Sequence, residues 1–390
     1  MVTLRRLVQP LLWGTASAAL VVAVLPANAA QVHLVHRGVV AGSEIPPRAG
    51  ESVLSVAMPE PYAPRRSGPA WDDYRCFVMD PKLSSDQWLT GTRFTPGNAK
   101  VVHHIILFRL DADRVAEAKV KDAADPGPGW TCFGGPGFRT STGGSGGVLD
   151  AAPWLAAWAP GGTDQVIPDG LGIPMPAGTQ MVMQVHYNLR TAVGSDTTSL
   201  GLRLRPRSES MTSLGTRLLA APVELPCLPG ETGRLCSRSA SIDDVVRRFG
   251  SQSRSLVEGL KWICGATGGT TQSGQTQSCN WPVTEPMTIH AAAPHMHLLG
   301  SSMTIEANPG TERAATILSQ PSYDFDQQGA VWLSEPIRLQ AGDILRITCT
   351  WNPALRKALP AFKGTKPRYV VWGEGTTDEM CLGVLTFAKG

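Results

Sequence analysis

Glycine and proline constrain this chain more than any other feature, since 41 of its 390 residues are glycine and 31 are proline. Both residues interrupt helices and are frequent in turns, so the chain favours short strands joined by turns over long helices. Hydrophobic residues make up 42% of the chain and charged residues 17%, which excludes disorder as the main state. The length indicates two domains.

Residues 1–30 have the pattern of an export signal. Arg5 and Arg6 precede an apolar stretch over 11–25, and Ala27-Asn28-Ala29 has the small-residue pattern of a cleavage site. The alternative is a membrane anchor, which needs about 20 apolar residues, whereas polar residues and a glycine interrupt this shorter run. We therefore expect a secreted or periplasmic protein with no stable membrane anchor.

The formal net charge is +3, and removal of the signal would take two positive charges with it. A near-neutral protein lacks the basic surface that nucleic-acid-binding proteins use. We expect no nucleic-acid partner.

Eight cysteines indicate a disulfide framework. In an oxidising compartment they would form up to four disulfides. No C-x2-C pair occurs, which argues against a zinc ribbon. The cysteines lie at Cys76, Cys132, Cys227, Cys236, Cys264, Cys279, Cys349 and Cys381.

The predicted fold is all-β, with two antiparallel, jelly-roll-like β-sandwich domains over 71–205 and 206–390 and an extended N-terminal segment over 31–70. Short apolar runs predict strands at 76–79, 100–110, 180–189, 200–204, 287–292, 303–307, 330–333, 344–350, 369–372 and 382–387. A small helical, disulfide-tied insert is expected over 227–279.

Within this insert the sequence predicts two helices. The first begins at Ser241 as N-cap, has Asp243 and Asp244 in its first turn, and ends before Gly250. The second is expected over 255–263.

Five of the eight histidines lie in three tight groups: the adjacent pair His103 and His104, His186, and the pair His295 and His297. Residues i and i+2 of a strand project from one face, so His295 and His297 could bind one ion. Adjacent histidines normally face opposite sides, so His103 and His104 could share an ion only where the strand bulges or twists. Taken singly, the pair could instead be one core and one surface residue, and the H-x-H motif a polar strand face.

Met380 lies beside Cys381 near the C-terminus. A thioether is a soft ligand that favours copper over zinc or magnesium, so a His-His-Met set indicates copper. Taken alone, a methionine is more often a core residue.

A series of motifs resembles the copper type II ascorbate-dependent monooxygenases, the family of dopamine β-monooxygenase and peptidylglycine α-hydroxylating monooxygenase. The motifs occur in the family's order and cover about residues 70–390. They read VHHIILF (102–108), GWTCFGG (129–135), AWAPGG (157–162), MQVHYNL (183–189), PHMHLLG (294–300), GDILRITC (342–349) and WGEGTTDEMCLGVL (372–385).

The resemblance implies two coppers per chain, facing each other across a solvated cleft and reduced by ascorbate or a similar reductant. The electron-transfer copper would be bound by His103, His104 and His186. The O2-activating copper would be bound by His295, His297 and Met380, and there O2 would be used to hydroxylate a small-molecule substrate.

The resemblance also implies roles for residues near the ligands. Gln184 and Tyr74 match family positions at the cleft, where Gln184 could support water or substrate, although either could simply pack in its strand. Asp378 and Glu379 match the turn before the methionine ligand and would support it. The implied disulfides are Cys76–Cys132 and Cys349–Cys381, while the other four cysteines allow three pairings.

The substrate position departs from the peptide-hydroxylating branch. The arginine that binds a substrate carboxylate there is replaced by Ala293, and Leu382 and Val384 stand at two further substrate positions. We expect an apolar or aromatic substrate without an essential carboxylate. The alternatives are a copper-handling protein of the same fold without turnover and an extracellular binding module with structural histidines.

Overall fold

The computed structural model describes residues 45–66, 71–137, 153–159, 162, 164–207 and 210–390. The predicted export signal, the first part of segment 31–70 and residues 160 and 161 of the AWAPGG motif lie outside the described residues. No helix among the described residues is long and apolar enough to cross a membrane.

The described residues form twenty strands and four α-helices. The first ten strands are β1 (Ser52–Ala57), β2 (Asp72–Met79), β3 (Gln87–Thr95), β4 (Val102–Leu110), β5 (Trp130–Thr131), β6 (Trp154–Trp158), β7 (Gln165–Val166), β8 (Leu171–Met175), β9 (Gln180–Asn188) and β10 (Ser199–Pro206). The others are β11 (Thr212–Ala220), β12 (Glu224–Leu225), β13 (Thr276–Pro282), β14 (Met287–His295), β15 (Gly300–Ala307), β16 (Ala315–Gln320), β17 (Val331–Leu339), β18 (Ile344–Trp351), β19 (Val370–Val371) and β20 (Leu382–Lys389). The helices are α1 (Val115–Ala124), α2 (Arg238–Phe249), α3 (Gln252–Ala266) and α4 (Leu355–Ala358).

Strand β9 is the centre of the N-terminal half. It lies between β2 and β4 in a five-stranded antiparallel sheet of order β5-β2-β9-β4-β6. One face packs on β3 and β10 through residues such as Phe77, Met183 and Leu202, and the other packs near α1 through Val182 and Phe108. Both faces of β9 are therefore buried, which explains why Met181, Val182 and Met183 follow one another without a polar residue between them.

The C-terminal half places the sheet β13-β18-β15-β16 against strands β11, β20, β14 and β17. Strand β18 alternates between buried and partly exposed residues, as a strand does when it covers a core with one face. Its buried residues Leu345, Ile347 and Cys349 join Ile305 of β15 and Leu385 of β20 in one apolar core. The all-β prediction is confirmed.

One feature of the sheets was not predicted. Strands β8 and β11 form a two-residue parallel ladder, Thr212 opposite Leu171 and Ser213 opposite Gly172. This ladder joins strands of both halves into a single nine-stranded sheet. In the described part of segment 31–70, β1 pairs along its whole length with β10.

The helices correct several boundaries. Helix α2 begins at Arg238, and not at Ser241, because the Ser241 hydroxyl donates to the carbonyl of Tyr369 (2.5 Å) and does not cap the helix. Helix α3 runs over Gln252–Ala266, longer at both ends than the expected 255–263. Helix α1 was not predicted, and only Ala118 of it is buried, so the apolar pattern gave little signal.

Four disulfides tie the described chain. Cys76–Cys132 and Cys349–Cys381 are the pairs that the resemblance implied. The pairing that the sequence left open is Cys227–Cys236 and Cys264–Cys279. The second of these links α3 to β13 and so holds the helical insert against the C-terminal sheet.

Candidate metal centre

The first histidine group lies on β4 and β9, where a bulge brings adjacent residues together. Val102 pairs with Tyr187 and His104 with His186, so His103 is an extra residue in the ladder. A bulge lets two successive side chains approach one side of a strand. Nδ1 of His104 lies 3.2 Å from Nδ1 of His103 and 3.3 Å from Nδ1 of His186.

These three nitrogens have the arrangement of a metal site. Ligand atoms of His103, His104 and His186 all lie within 4.8 Å of one another. Two imidazole nitrogens that share one ion at about 2.0–2.1 Å in tetrahedral coordination lie about 3.3–3.4 Å apart, close to the observed separations. A bound cation stabilises an arrangement in which several nitrogen lone pairs point to one place. The three histidines therefore fit a bound metal ion.

Two neighbours orient His186, which is buried. Its Nε2 lies 2.9 Å from Oδ1 of Asp72, and the ring of Tyr74 stacks on it with 4.1 Å between centroids and 9° between planes. With Nε2 bonded to a carboxylate, the proton lies on Nε2 and the Nδ1 lone pair is left toward His104. Asp72 carried no signal in the sequence, because it is 114 residues from His186.

Burial favours the neutral form of the ring of His104. It lowers the pKa of His104 well below the usual value, and the nearby His186 lowers it further. A neutral imidazole is the form that binds a metal ion.

The second histidine group ends strand β14. The rings of His295 and His297 lie 5.4 Å apart and at 90° to each other, while Met296 between them is buried in the core. The hydroxyl of Tyr323 accepts from the backbone N–H of Met296 (2.9 Å) and donates to its carbonyl (2.7 Å). This brace fixes the backbone between the two histidines.

Each of these histidines uses Nδ1 for a protein contact. Nδ1 of His295 lies 2.5 Å from Oε1 of Gln328, and Nδ1 of His297 lies 3.3 Å from the carbonyl of Asp378. The amide of Gln328 is itself oriented by donation to the carbonyl of Phe325 (2.6 Å). Nε2 of both rings is left for a ligand. Burial lowers the pKa of His295 to about 4 and that of His297 to about 3.

Glu379 ties Met380 to this segment. The Glu379 carboxylate is fully buried and accepts from the backbone N–H groups of His297 (3.0 Å) and Leu299 (2.6 Å). It also accepts from Nε1 of Trp351 (2.9 Å) and, at 3.3 Å, from the N–H of Met380. Burial raises the pKa of Glu379 to about 8 despite these donors.

Asp378 carries a second set of contacts on the same turn. Its carboxylate accepts two hydrogen bonds from Arg248 of helix α2, at 2.6 and 2.7 Å, and one from Arg368 at 3.1 Å. These guanidinium groups hold the pKa of Asp378 below its usual value although the group is buried, since the attraction outweighs the burial. The insert is thus bonded directly to the turn before Met380.

The two histidine groups adjoin. The ring of His104 lies 5.8 Å from that of His295, and the ring of Phe325 lies 4.9 Å from His103 and 6.4 Å from His297. The resemblance implied a solvated cleft between the two sets, whereas here their rings are neighbours and Phe325 lies beside both.

Gln184 lies on β9 two residues before His186 and therefore on the same face. It is only 2% exposed, and its Nε2 lies 3.5 Å from Sγ of Cys132 in the Cys76–Cys132 disulfide.

Three apolar residues flank His295. Leu382 pairs with His295, and Val384 pairs with Ala293, on the neighbouring strands β14 and β20. Since pairs two residues apart share a face, Ala293, Leu382 and Val384 form an apolar wall beside His295.

Residues 269–389 match the family model described as copper type II ascorbate-dependent monooxygenase, C-terminal domain. No curated protein matches the chain. Solved structures with some likeness include an allantoicase (11% identity, 78% of this chain and 90% of that chain, TM-score 0.16) and dimeric latent PorU from Porphyromonas gingivalis (9%, 82% and 24%, 0.16). A third is vicilin from Solanum lycopersicum, tomato (8%, 83% and 76%, 0.14). TM-scores this low carry no argument about fold or function.

Proposed function

We propose that this chain, which belongs to the copper type II ascorbate-dependent monooxygenase family, is an exported enzyme. It would use O2 and a reductant such as ascorbate to hydroxylate an activated C–H bond. The substrate would be a small, apolar or aromatic molecule. The observation that carries the proposal is the contact between a three-histidine set and a His-x-His segment tied to a methionine. The overall reaction converts R–H, O2, two electrons and two protons into R–OH and water.

Two ligand sets would hold two coppers per chain. One consists of His103, His104 and His186. The other consists of His295, His297 and Met380. Bound copper would supply the one-electron redox steps that couple a two-electron reductant to O2. Amino-acid side chains alone cannot perform this chemistry.

The protein's own residues prepare these sets. Burial keeps His104, His295 and His297 neutral, so their nitrogens are ready to bind without releasing protons at neutral pH. The thioether of Met380 together with the imidazoles of His295 and His297 would favour the reduced form of a bound copper. Three imidazoles without a thioether suit cycling between the two oxidation states.

The wall of Ala293, Leu382 and Val384 supports the substrate class. It presents no cation to a substrate carboxylate and would bury apolar or aromatic surface beside His295. Ala293→Arg is expected to weaken binding of an apolar substrate, since it places a charge in this wall, and should raise KM more than it lowers kcat. An unchanged KM would show that Ala293 does not line the substrate site.

Gln184 is proposed to support substrate or water beside the three-histidine set. Its place on the same face of β9 as His186 supports this role. Gln184→Leu should lower kcat/KM while leaving the copper content at two. A variant with unchanged kcat/KM would assign Gln184 to packing.

Export is supported by the four disulfides, which persist in oxidising compartments. The protein would act in the periplasm or outside the cell, with no nucleic-acid partner.

The direct test is ascorbate-driven O2 consumption by the copper-loaded protein, with a screen that begins with arylalkyl amines and apolar aromatics. The proposal predicts one hydroxylated product per O2 consumed for at least one substrate, and the loss of this coupling in Met380→Ala. Copper binding with no coupled product from any compound of the screen would favour the copper-handling function.

A further inference from the structure

The side chains that orient His186 come from strand β2, but each of them is held in turn by the C-terminal half of the chain. Asp72 bonds to Nε2 of His186, and Tyr74 stacks on its ring. Thr376 donates its hydroxyl hydrogen to the same Oδ1 of Asp72, at 2.9 Å. The hydroxyl of Tyr74 donates to the carbonyl of Glu374.

The Asp72–Thr376 hydrogen bond is shielded from water. Asp72 is 9% exposed and Thr376 is 7% exposed. Oδ1 of Asp72 therefore receives two donors, the imidazole N–H of His186 and the hydroxyl of Thr376, in a buried place where each hydrogen bond is strong and its loss costly. The amide of Asn188, which pairs with Asp72 across β2 and β9, reaches the Thr376 oxygen at 3.5 Å.

The segment that carries Thr376 is a closed turn. The N–H of Gly373 donates to the carbonyl of Glu379 (3.1 Å), and the N–H of Asp378 donates to the carbonyl of Gly375 (2.8 Å). A Cβ at Gly375 would lie 2.8 Å from Oδ2 of Asp378, so the turn is packed too closely for a side chain there. Because the turn is anchored at its far end by Arg248, it holds Thr376 at a fixed place four residues before Met380.

We propose that Thr376 is a positioning residue for the three-histidine site: through Asp72 it fixes the tautomer and orientation of His186, so that the turn that supplies the methionine ligand of one site also completes the other. The inference rests on the proposed function where it concerns copper. The part that concerns the tautomer and orientation of the His186 ring does not depend on a metal. Neither histidine set would then be fully formed by its own half of the chain.

The test uses three measurements on the full chain and four variants. In the metal-free protein, nitrogen-15 NMR of the histidine rings reports which nitrogen of His186 carries the proton. In the copper-loaded protein, EPR spectra and competition with a chelator report the coordination and affinity of the three-histidine site. Thr376→Val removes the hydroxyl at nearly constant volume, and Thr376→Ser restores it. Asp72→Ala removes the acceptor. Thr377→Val is the matched control, since the Thr377 hydroxyl makes no side-chain hydrogen bond to a described residue.

We expect His186 to carry its proton on Nε2 in the unchanged protein, in Thr376→Ser and in Thr377→Val. Thr376→Val should give a mixture of tautomers and about a tenfold loss of copper affinity at this site, and Asp72→Ala a loss of about 10-fold to 100-fold. An unchanged tautomer in Thr376→Val, with an unchanged EPR spectrum, would overturn the inference. A tautomer that responds as expected in a chain whose three histidines bind no copper would support the positioning role and overturn the proposed function instead.

Discussion

The imidazole ring of His104 lies 5.8 Å from the ring of His295, measured between centroids. His104 belongs to the three-histidine set on β4 and β9, and His295 ends strand β14 of the other half. The two candidate copper sites therefore adjoin.

Met380→Ala tests whether the two ligand sets are independent. The change removes the only thioether of the proposed set and leaves His103, His104 and His186 in place, so bound copper should fall from two per chain to one and product formation should stop. Elemental analysis and the O2 assay check both effects. Met303→Leu, a buried methionine of the same core, is the control and should keep two coppers. The loss of both coppers from Met380→Ala would contradict independence.

Glu379 is expected to stabilise the fold through its buried acceptors. Glu379→Ala leaves the N–H groups of His297 and Leu299 and Nε1 of Trp351 without their acceptor, and each buried unpaired donor costs roughly 1–3 kcal/mol. The free energy of unfolding should fall by on the order of 3–5 kcal/mol. Glu379→Gln keeps one carbonyl oxygen and should lose less. Equal losses in the two variants, measured by urea unfolding, would show that these hydrogen bonds contribute little.

The disulfide Cys349–Cys381 should matter for both stability and copper. It closes a separation of 32 residues and lies next to Met380, whereas Cys227–Cys236 closes only 9 residues in the insert. The loop-entropy relation gives about 4 kcal/mol for the first and about 3 kcal/mol for the second. Replacing the first pair by alanine should also lower the copper affinity of the His-His-Met site, and replacing the second should not. Equal losses of copper affinity in the two variants would show that Cys349–Cys381 has no specific role in positioning Met380.

Glu374 gives the protein a pH-dependent stability. Burial, and secondarily the charge of Asp378, raise the pKa of Glu374 to about 7 from its usual 4.5. Between these values the folded chain holds a proton that the unfolded chain has released, so this group's contribution to stability falls as pH rises from about 4.5 to about 7.

Glu374→Gln removes that contribution without changing the other titrating groups. The difference in unfolding free energy between the variant and the unchanged protein should therefore shift in favour of the variant across this window and stay constant above it. Urea unfolding at several pH values measures the difference. A difference that does not change with pH would show that Glu374 titrates normally.

Local patterns predicted much of this architecture. The glycine and proline content indicated short strands. The adjacent pair His103 and His104 could share an ion only if the strand bulged or twisted there, and the structure has a bulge at this place. The motifs of the resemblance implied the pairing of Cys76 with Cys132, which neighbouring strands then bring together. In each of these cases the signal lies within a few residues or within a motif.

The contacts that orient the histidines could not be predicted in this way. Gln328 is 33 residues from His295, and Thr376 is 304 residues from Asp72, so no periodicity or spacing relates them. Ser241 shows the same limit at a helix, because its hydroxyl bonds to Tyr369 across the fold instead of capping α2. Such pairs depend on how the sheets pack, which local propensity does not determine.

The central claim is that two copper sites are present in one chain. Elemental analysis of copper per chain, on purified protein that has been loaded with copper and desalted, tests it most directly. The account predicts two coppers per chain in the unchanged protein and one in a variant that combines His103→Ala and His104→Ala. One copper or none in an unchanged protein that is folded would contradict it.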